Sequence, residues 1–199
     1  MPADIAAIKK ANLPIIFLMG GPGAGKHTQA AKIKAKYGYT HLSMGQLLRD
    51  EVKNNTERGK KVKEILDKGE LVPSDVTFEL LKEQMAKAVG INKPYLLHGF
   101  PRNKEQLAQL EKELGPAKAV IVLDVPEAKM TERLTARAKT GARADDKPEV
   151  VKKRIEVYNK DTKPLVDELI NNKKAVKIAA DGDVEKIFTE ICKVLDTVK

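Results

Sequence analysis

The sequence is poor in cysteine, with Cys192 as the single thiol among 199 residues. One thiol excludes a framework of intramolecular disulfides, which fits a protein of a reducing compartment. Cys192 shares an apolar helical pattern with Ile187, Ile191 and Val194. We therefore expect a packed core thiol rather than a reactive one, since free cysteine is among the most buried residue types.

Long apolar runs are also missing. Nowhere do 18 consecutive apolar residues occur, the length that indicates a membrane-spanning helix. Residues 1–14 contain neither a long apolar run nor a cleavage-site pattern. These absences predict a soluble, cytoplasmic protein with no membrane partner.

Aromatic residues make up only 4% of the chain, and no five basic residues follow one another. The overall balance is nevertheless basic, with 37 Lys and Arg against 28 Asp and Glu and a formal net charge of +9. Scattered lysines without an aromatic platform argue against nucleic acid as a partner. A basic nucleic-acid-binding module stays open as an alternative, and it would require strongly salt-dependent binding of oligonucleotides.

The stretch from Ile15 to Thr28, IIFLMGGPGAGKHT, has the parts of a phosphate cradle. Its first five residues read as a strand buried on both faces. Gly20, Gly25 and Lys26 then satisfy the spacing G-x-x-x-x-G-K. Such a loop turns backbone N–H groups towards an anion, and the following helix adds its positive N-terminal end. The sequence therefore predicts a nucleotide phosphate site here.

One position of the cradle departs from the general pattern. His27 follows the lysine, where Ser or Thr usually holds magnesium. Thr28 offers a hydroxyl one step later.

Strand and helix patterns alternate along the whole chain. Apolar runs predict strands at residues 15–19, 95–97, 119–124 and 176–180. Helices are predicted at residues 26–36, 46–53, 57–67, 74–88, 104–114, 126–139, 148–172 and 183–198. This alternation favours one α/β domain with a parallel sheet wrapped by helices. Ligands of such sheets bind beyond the carboxyl ends of the strands, where Lys26, His98 and Asp124 fall.

Six arginines lie beside turns or helix ends: Arg49, Arg102, Arg133, Arg137, Arg143 and Arg154. Phosphoryl transfer between nucleotides is catalysed mainly by neutralising charge and positioning the reactants. Guanidinium groups suit this task because they are always charged and bind phosphate with two parallel hydrogen bonds.

Several longer motifs occur in order and carry a family resemblance. They are GGPGAGK in the cradle, KYGYTHLS followed by LLR, GELVP at 69–73, GFPR at 99–102 and GARADD at 141–146. From about Leu13 to Val198 the chain resembles adenylate kinases of the short-lid type. The resemblance implies a P-loop NTPase fold with a five-stranded parallel sheet. It also implies a single nucleoside monophosphate kinase domain over 1–199, with a core of 1–42, 73–135 and 147–199, a mobile NMP-binding segment of 43–72 and a short lid of 136–146.

The resemblance further implies an activity, reversible phosphoryl transfer from MgATP to AMP to give two ADP. Its partners would be ATP, AMP and ADP, its cofactor Mg²⁺ bound with ATP, and its expected state a monomer. No direct protein ligand to the metal is expected, and His98 occupies the position from which the family's aspartate holds water on magnesium.

Site residues follow from the resemblance position by position. Residues implied to bind ATP are Gly23, Ala24, Gly25, Lys26, His27, Thr28, Arg137 and Gly182. Residues implied to bind AMP are Met44, Arg49, Glu70, Leu71, Val72, Gly99, Phe100, Pro101, Arg102, Gln106, Arg143 and Arg154. The catalytic group would be Lys26, Arg102, Arg133, Arg143 and Arg154.

Two alternatives remain within the same fold. UMP/CMP kinases share the cradle and the GFPRN run that ends at Asn103, although the base-reading position here is Gln106, which matches adenine through one donor and one acceptor. The second alternative is an adenylate kinase that binds nucleotides but is catalytically impaired. It is motivated by four departures from the family around the expected chemistry: His27, Met44, Gln46 and His98.

Overall fold

A computed structural model describes residues 5–141 and 147–198. Its strands are β1 (Ile15–Gly20), β2 (Thr40–Ser43), β3 (Tyr95–His98), β4 (Ala119–Asp124) and β5 (Val176–Ala179). Its α-helices are α1 (Ile5–Ala11), α2 (Lys26–Tyr37), α3 (Met44–Lys53), α4 (Glu57–Asp67), α5 (Ser74–Ala88), α6 (Lys104–Leu114), α7 (Glu127–Lys139), α8 (Pro148–Val157), α9 (Lys163–Asn171) and α10 (Val184–Leu195).

The five strands form one parallel sheet in the order β2-β3-β1-β4-β5. β1 is central, so Ile16 pairs with Leu96 of β3 on one side and with Ala119 of β4 on the other. A central parallel strand is covered on both faces, which explains why β1 is apolar at every position before Gly20. The predicted α/β fold with a five-stranded parallel sheet is confirmed.

Two hydrophobic layers cover the sheet, and alternate residues of β1 divide between them. Ile15, Phe17 and Met19 belong to the cluster that includes residues of α3, α5, α6 and α9. Ile16 and Leu18 belong to the cluster that includes residues of α2 and α10. Successive strand side chains point to opposite faces, so one short strand anchors both layers and fixes the loop that follows it.

Two elements were not predicted from the sequence. Strand β2 has three polar residues among its four, Thr40, His41 and Ser43, and therefore lacks an apolar run. Helix α1 is only seven residues long. The predicted helix over 148–172 is divided into α8 and α9 by a π-helical turn at Tyr158–Thr162.

Helix α4 is held closely to its neighbours. A Cβ added at Gly59 would lie 2.1 Å from the Glu51 carbonyl oxygen, so α3 and α4 approach as only glycine allows. Arg58 Nη1 and Nη2 donate to the Glu83 carboxylate on α5 at 3.0 and 2.5 Å. This hydrogen bonding lowers the pKa of Glu83. The pair joins the predicted NMP-binding segment to a helix of the predicted core.

Cys192 is buried on α10, as expected for a packed thiol. Among the residues described here, no helix combines the length and apolar character needed to cross a membrane. Residues 142–146 of the predicted lid, including Arg143, lie outside the described residues, and the division into core, NMP-binding segment and lid stays a prediction.

Candidate nucleotide site

The loop between β1 and α2 needs glycine at two positions where its backbone lies close to the backbone of neighbouring elements. Gly20 and Gly23 have φ values of 134° and 79°, a region that side-chain-bearing residues rarely adopt. A Cβ at Gly20 would lie 2.5 Å from the Leu123 carbonyl oxygen, and one at Gly23 would lie 2.9 Å from the Met130 carbonyl oxygen. The loop is therefore pressed against β4 and α7, and substitution at either glycine would displace it.

Lys26 opens α2 and turns back over this loop. Its Nζ donates to the carbonyl oxygens of Gly20 and Gly21 at 2.7 and 2.6 Å. The ammonium group therefore lies at the N-terminal end of α2, where free N–H groups and the helix dipole already favour an anion. Together they create a compact positive centre at the carboxyl end of the central strand.

A cavity of about 840 Å³ extends from this centre. Lysines and arginines outnumber carboxylates in its lining by eight to three. The cations are Lys26, Arg49, Lys53, Lys63, Arg102, Arg133, Arg137 and Arg154, and the carboxylates are Asp50, Asp67 and Glu70. A concave surface with this excess of positive charge suits a ligand with several phosphates.

Every described residue predicted for the site lines this one cavity. On the cradle side these are Gly23, Ala24, Gly25, Lys26, His27, Thr28, Arg133, Arg137, Arg154 and Gly182. On the side of α3 and β3 they are Met44, Arg49, Glu70, Leu71, Val72, His98, Gly99, Phe100, Pro101, Arg102 and Gln106. Asp124 instead pairs with Lys177, at 2.8 Å.

Arg49 and Arg102 lie beside two neighbouring glycines, Gly45 and Gly99. Arg102 Nε donates to the Gly99 carbonyl oxygen at 2.9 Å. A Cβ at Gly99 would lie 3.5 Å from Arg102 Nη2 and 3.6 Å from the backbone nitrogen of Gly45. A Cβ at Gly45 would in turn lie 3.4 Å from Arg49 Nη1. The two guanidinium groups thus border one small region of the cavity, where a phosphate could accept from both.

Gln106 is held in place within the cavity wall. The side chain is 2% exposed, and its Oε1 accepts from the Arg102 backbone N–H at 2.8 Å. Its Nε2 lies 3.5 Å from the Thr77 hydroxyl, a long hydrogen bond. Asn103 caps α6 by accepting from the Gln106 backbone N–H at 2.9 Å. Capping α6 explains why an asparagine occupies position 103, without any role in recognising the base.

Arg133 connects the cradle to the loop that follows β5. Its Nη1 donates to the Ala180 carbonyl oxygen at 3.0 Å and lies 3.4 Å from the Gly23 carbonyl oxygen. Arg154 reaches the opposite wall, where a Cβ at Gly69 would lie 3.1 Å from its Cγ. The arginines of α7 and α8 thus border the cavity from both the cradle side and the 69–72 side.

His98 ends β3 beside the cradle, and its surroundings keep it neutral. Burial, followed by the positive potential of His41, Lys26, His27 and Arg102, lowers the pKa of His98 to about 2. Burial is also the main reason why the pKa of His41 is lowered to about 4, with His27 and Lys34 contributing. Both rings therefore carry nitrogen lone pairs at neutral pH.

Sequence motifs did not identify Lys53, Lys63, Asp50 or Asp67, which line the cavity, nor His41, which lies near it. His41 lies on the unpredicted strand β2, and its ring stacks on that of His98 with centroids 4.8 Å apart. The one feature of the sequence that could have drawn attention to His41 is the scarcity of histidine, which occurs three times in the chain.

Together with the parallel sheet, the glycine-dense loop and its lysine define a P-loop nucleotide-binding protein. Comparison with known proteins narrows this class. A family model described as adenylate kinase matches residues 18–174. Adenylate kinase isoenzyme 1 of Caenorhabditis elegans is 45% identical over 194 residues, which cover 97% of this chain and 92% of the relative. The Homo sapiens and Sus scrofa proteins of that name are each 42% identical over 185 residues, covering 93% of this chain and 95% of theirs. The chain therefore belongs to the adenylate kinase family.

Proposed function

We propose that the protein is an adenylate kinase that transfers a phosphoryl group reversibly from MgATP to AMP, giving two ADP. The observation that carries this proposal is the single cavity lined by Lys26, the cradle and five arginines. A cavity of this charge and size can hold the phosphates of two nucleotides in line. The relatives are named adenylate kinases, and neither the pyrimidine kinase alternative nor the impaired enzyme receives support from them.

ATP would bind with its phosphates in the cradle. The backbone from Gly23 to Thr28 would donate N–H groups, and Lys26 would leave the Gly20 and Gly21 carbonyl oxygens to follow the transferred phosphoryl group. Arg137 and Gly182 would bound the rest of the nucleotide. His27 would project from the first turn of α2 beside these phosphates.

AMP would bind on the α3 side, with its phosphate between Arg49 and Arg102. Gln106 lines the cavity and would pair with adenine through its amide, exchanging the long Nε2 contact with Thr77 for the base. The remaining contacts, implied by position, are Met44, Glu70, Leu71, Val72, Gly99, Phe100 and Pro101. The AMP phosphate oxygen would attack the terminal phosphorus of ATP, and ADP would leave.

Arginines would neutralise the charge that spreads over the transferring phosphoryl group. Arg133 and Arg154 border the cavity from α7 and α8. We propose that Arg143, from outside the described residues, joins them when the lid closes. Closure of segments 43–72 and 136–146 would exclude water, which is a competing acceptor.

Magnesium would enter as part of the substrate MgATP. His98 is poorly suited to holding water on that ion, because a neutral imidazole offers one acceptor nitrogen and lacks the negative charge of a carboxylate. Within the described lining, the carboxylates all belong to α3, α4 and the segment after α4. The protein would therefore act on MgATP through its amides, lysine and arginines rather than through an acidic ligand.

The proposal is tested by measuring ADP formation from MgATP and AMP with a coupled assay. We expect ADP to appear only when both nucleotides are present, and CMP or UMP to replace AMP poorly. Tight MgATP binding without turnover would contradict the proposal, as would a preference for CMP over AMP. A monomer acting in the cytoplasm remains our expectation, and the mass in solution can be measured by light scattering.

A further inference from the structure

We propose that His27, His41 and His98 form a binding site for a divalent transition-metal ion of the zinc class. One ligand atom from each of the three side chains lies within 4.8 Å of the others. They are the three histidines of the whole chain, so their meeting does not reflect a general abundance of histidine. The site borders the nucleotide cavity, but the phosphoryl transfer proposed above assigns no step to an imidazole.

The fold brings the three together from distant parts of the sequence. Neighbouring strands β2 and β3 pair in parallel, with Ser43 opposite His98. His41 lies two residues before Ser43 on β2, so its side chain is on the same face of the sheet as that of His98. The rings of His41 and His98 stack with an interplanar angle of 22°. His27 projects from the first turn of α2 towards both, with ring centroids 5.8 Å from His41 and 6.0 Å from His98.

A second observation points to a ligand. Among the described residues, neither the buried Nε2 of His41 nor that of His98 finds a hydrogen-bond partner. The His98 side chain is more than nine-tenths buried. Buried polar atoms without partners are rare because their desolvation is uncompensated. A metal ion coordinated by both nitrogens would remove that cost at two positions at once.

The chemistry of the ligand set selects the ion. Imidazole nitrogen suits zinc, copper, nickel and cobalt, whereas magnesium and calcium prefer oxygen. Zinc–nitrogen bonds of about 2.0–2.1 Å place tetrahedral ligands roughly 3.4 Å apart. The three atoms already lie within 4.8 Å of one another, and His27 can move to complete the site because it is exposed.

The fourth coordination position would face the nucleotide cavity. Both His27 and His98 line that cavity. Three histidines with one open position leave room for water or an anion. Lys26 and Arg102 near His98, and Lys34 near His41, oppose the added positive charge. An anionic fourth ligand would offset this repulsion.

The test is titration of the full-length protein with Zn²⁺ by calorimetry and with Co²⁺ by visible absorption, without nucleotide. We expect one ion per chain, a tetrahedral Co²⁺ spectrum, and no displacement by excess Mg²⁺. Loss of an outer-shell partner already weakens metal binding about 10–100-fold, so His27→Ala should weaken it at least that much. His27 is exposed, so this variant should fold like the wild type.

Cys192 provides the control, because it is the single thiol in the sequence. Cys192→Ser should bind Zn²⁺ as the wild type does. Two results would overturn the proposal: unchanged Zn²⁺ affinity in His27→Ala, or no stoichiometric binding of Zn²⁺ or Co²⁺ by the wild type. Loss of binding in Cys192→Ser with retention in His27→Ala would assign the metal to the thiol and would equally refute it.

Discussion

Replacing Lys26 with methionine removes the ammonium group from the cradle while keeping the length of the side chain. Lys26 Nζ is held at 2.7 and 2.6 Å from two loop carbonyl oxygens, so it starts close to where the phosphates of ATP would lie. At a separation of about 4 Å and an effective dielectric constant of about 20, two unit charges interact by about 4 kcal/mol. Each 1.36 kcal/mol changes a rate tenfold, so up to about 1000-fold in kcat/KM depends on this charge.

We expect Lys26→Met to lose about 100- to 1000-fold in kcat/KM for MgATP, because this constant compares the transition state with free enzyme and free substrate and so reports the whole charge interaction that is lost. The assay is coupled ADP formation at saturating AMP, with circular dichroism to check folding. Lys34→Met is the matched control, since it removes the same charge from the exposed part of the same helix. A loss below about tenfold, or an equal loss in the control, would refute the electrostatic role assigned to Lys26.

Three further predictions address packing, pH and specificity. Gly59→Ala should lower the free energy of unfolding by about 1–3 kcal/mol in urea, because its Cβ would lie 2.1 Å from a carbonyl oxygen of α3, whereas Gly90→Ala has open space and should be nearly neutral. Glu83→Gln should lower the free energy of unfolding by about 1 kcal/mol at pH 7. The pKa of Glu83 is lowered from 4.5 in the folded protein, so the stability advantage of the wild type should be complete above pH 4.5 and should vanish as the pH falls through the folded-state pKa. A stability difference that does not change with pH would contradict this. Gln106→Ala should raise KM for AMP about tenfold, since an unmatched hydrogen bond costs about 1–3 kcal/mol, and an equal rise in KM for ATP would argue against base reading.

The core of the fold could be predicted from the sequence because its signals are local. The apolar run of β1, the glycine spacing and the lysine identify a strand, a turn and a helix start within fourteen residues. Strand β2 could not be identified in this way. Three of its four residues are polar, and it is a strand because β3 offers it a parallel partner.

The cavity was foreseen from motifs, whereas the histidine cluster was not. In the sequence, His27 and His98 are two isolated departures from the family pattern, and no motif connects either of them to His41. The three converge only because β2 and β3 pair in parallel beside the start of α2, a long-range relation that no local pattern encodes.

The central claim is that one cavity gathers the phosphates of two adenine nucleotides. Diadenosine pentaphosphate, which joins two adenosines through five phosphates, tests this most directly by calorimetry. We predict that one molecule binds per chain, that it excludes both ATP and AMP, and that Lys26→Met and Arg102→Ala each weaken it. Binding of two molecules per chain, or displacement by ATP but not by AMP, would contradict the account.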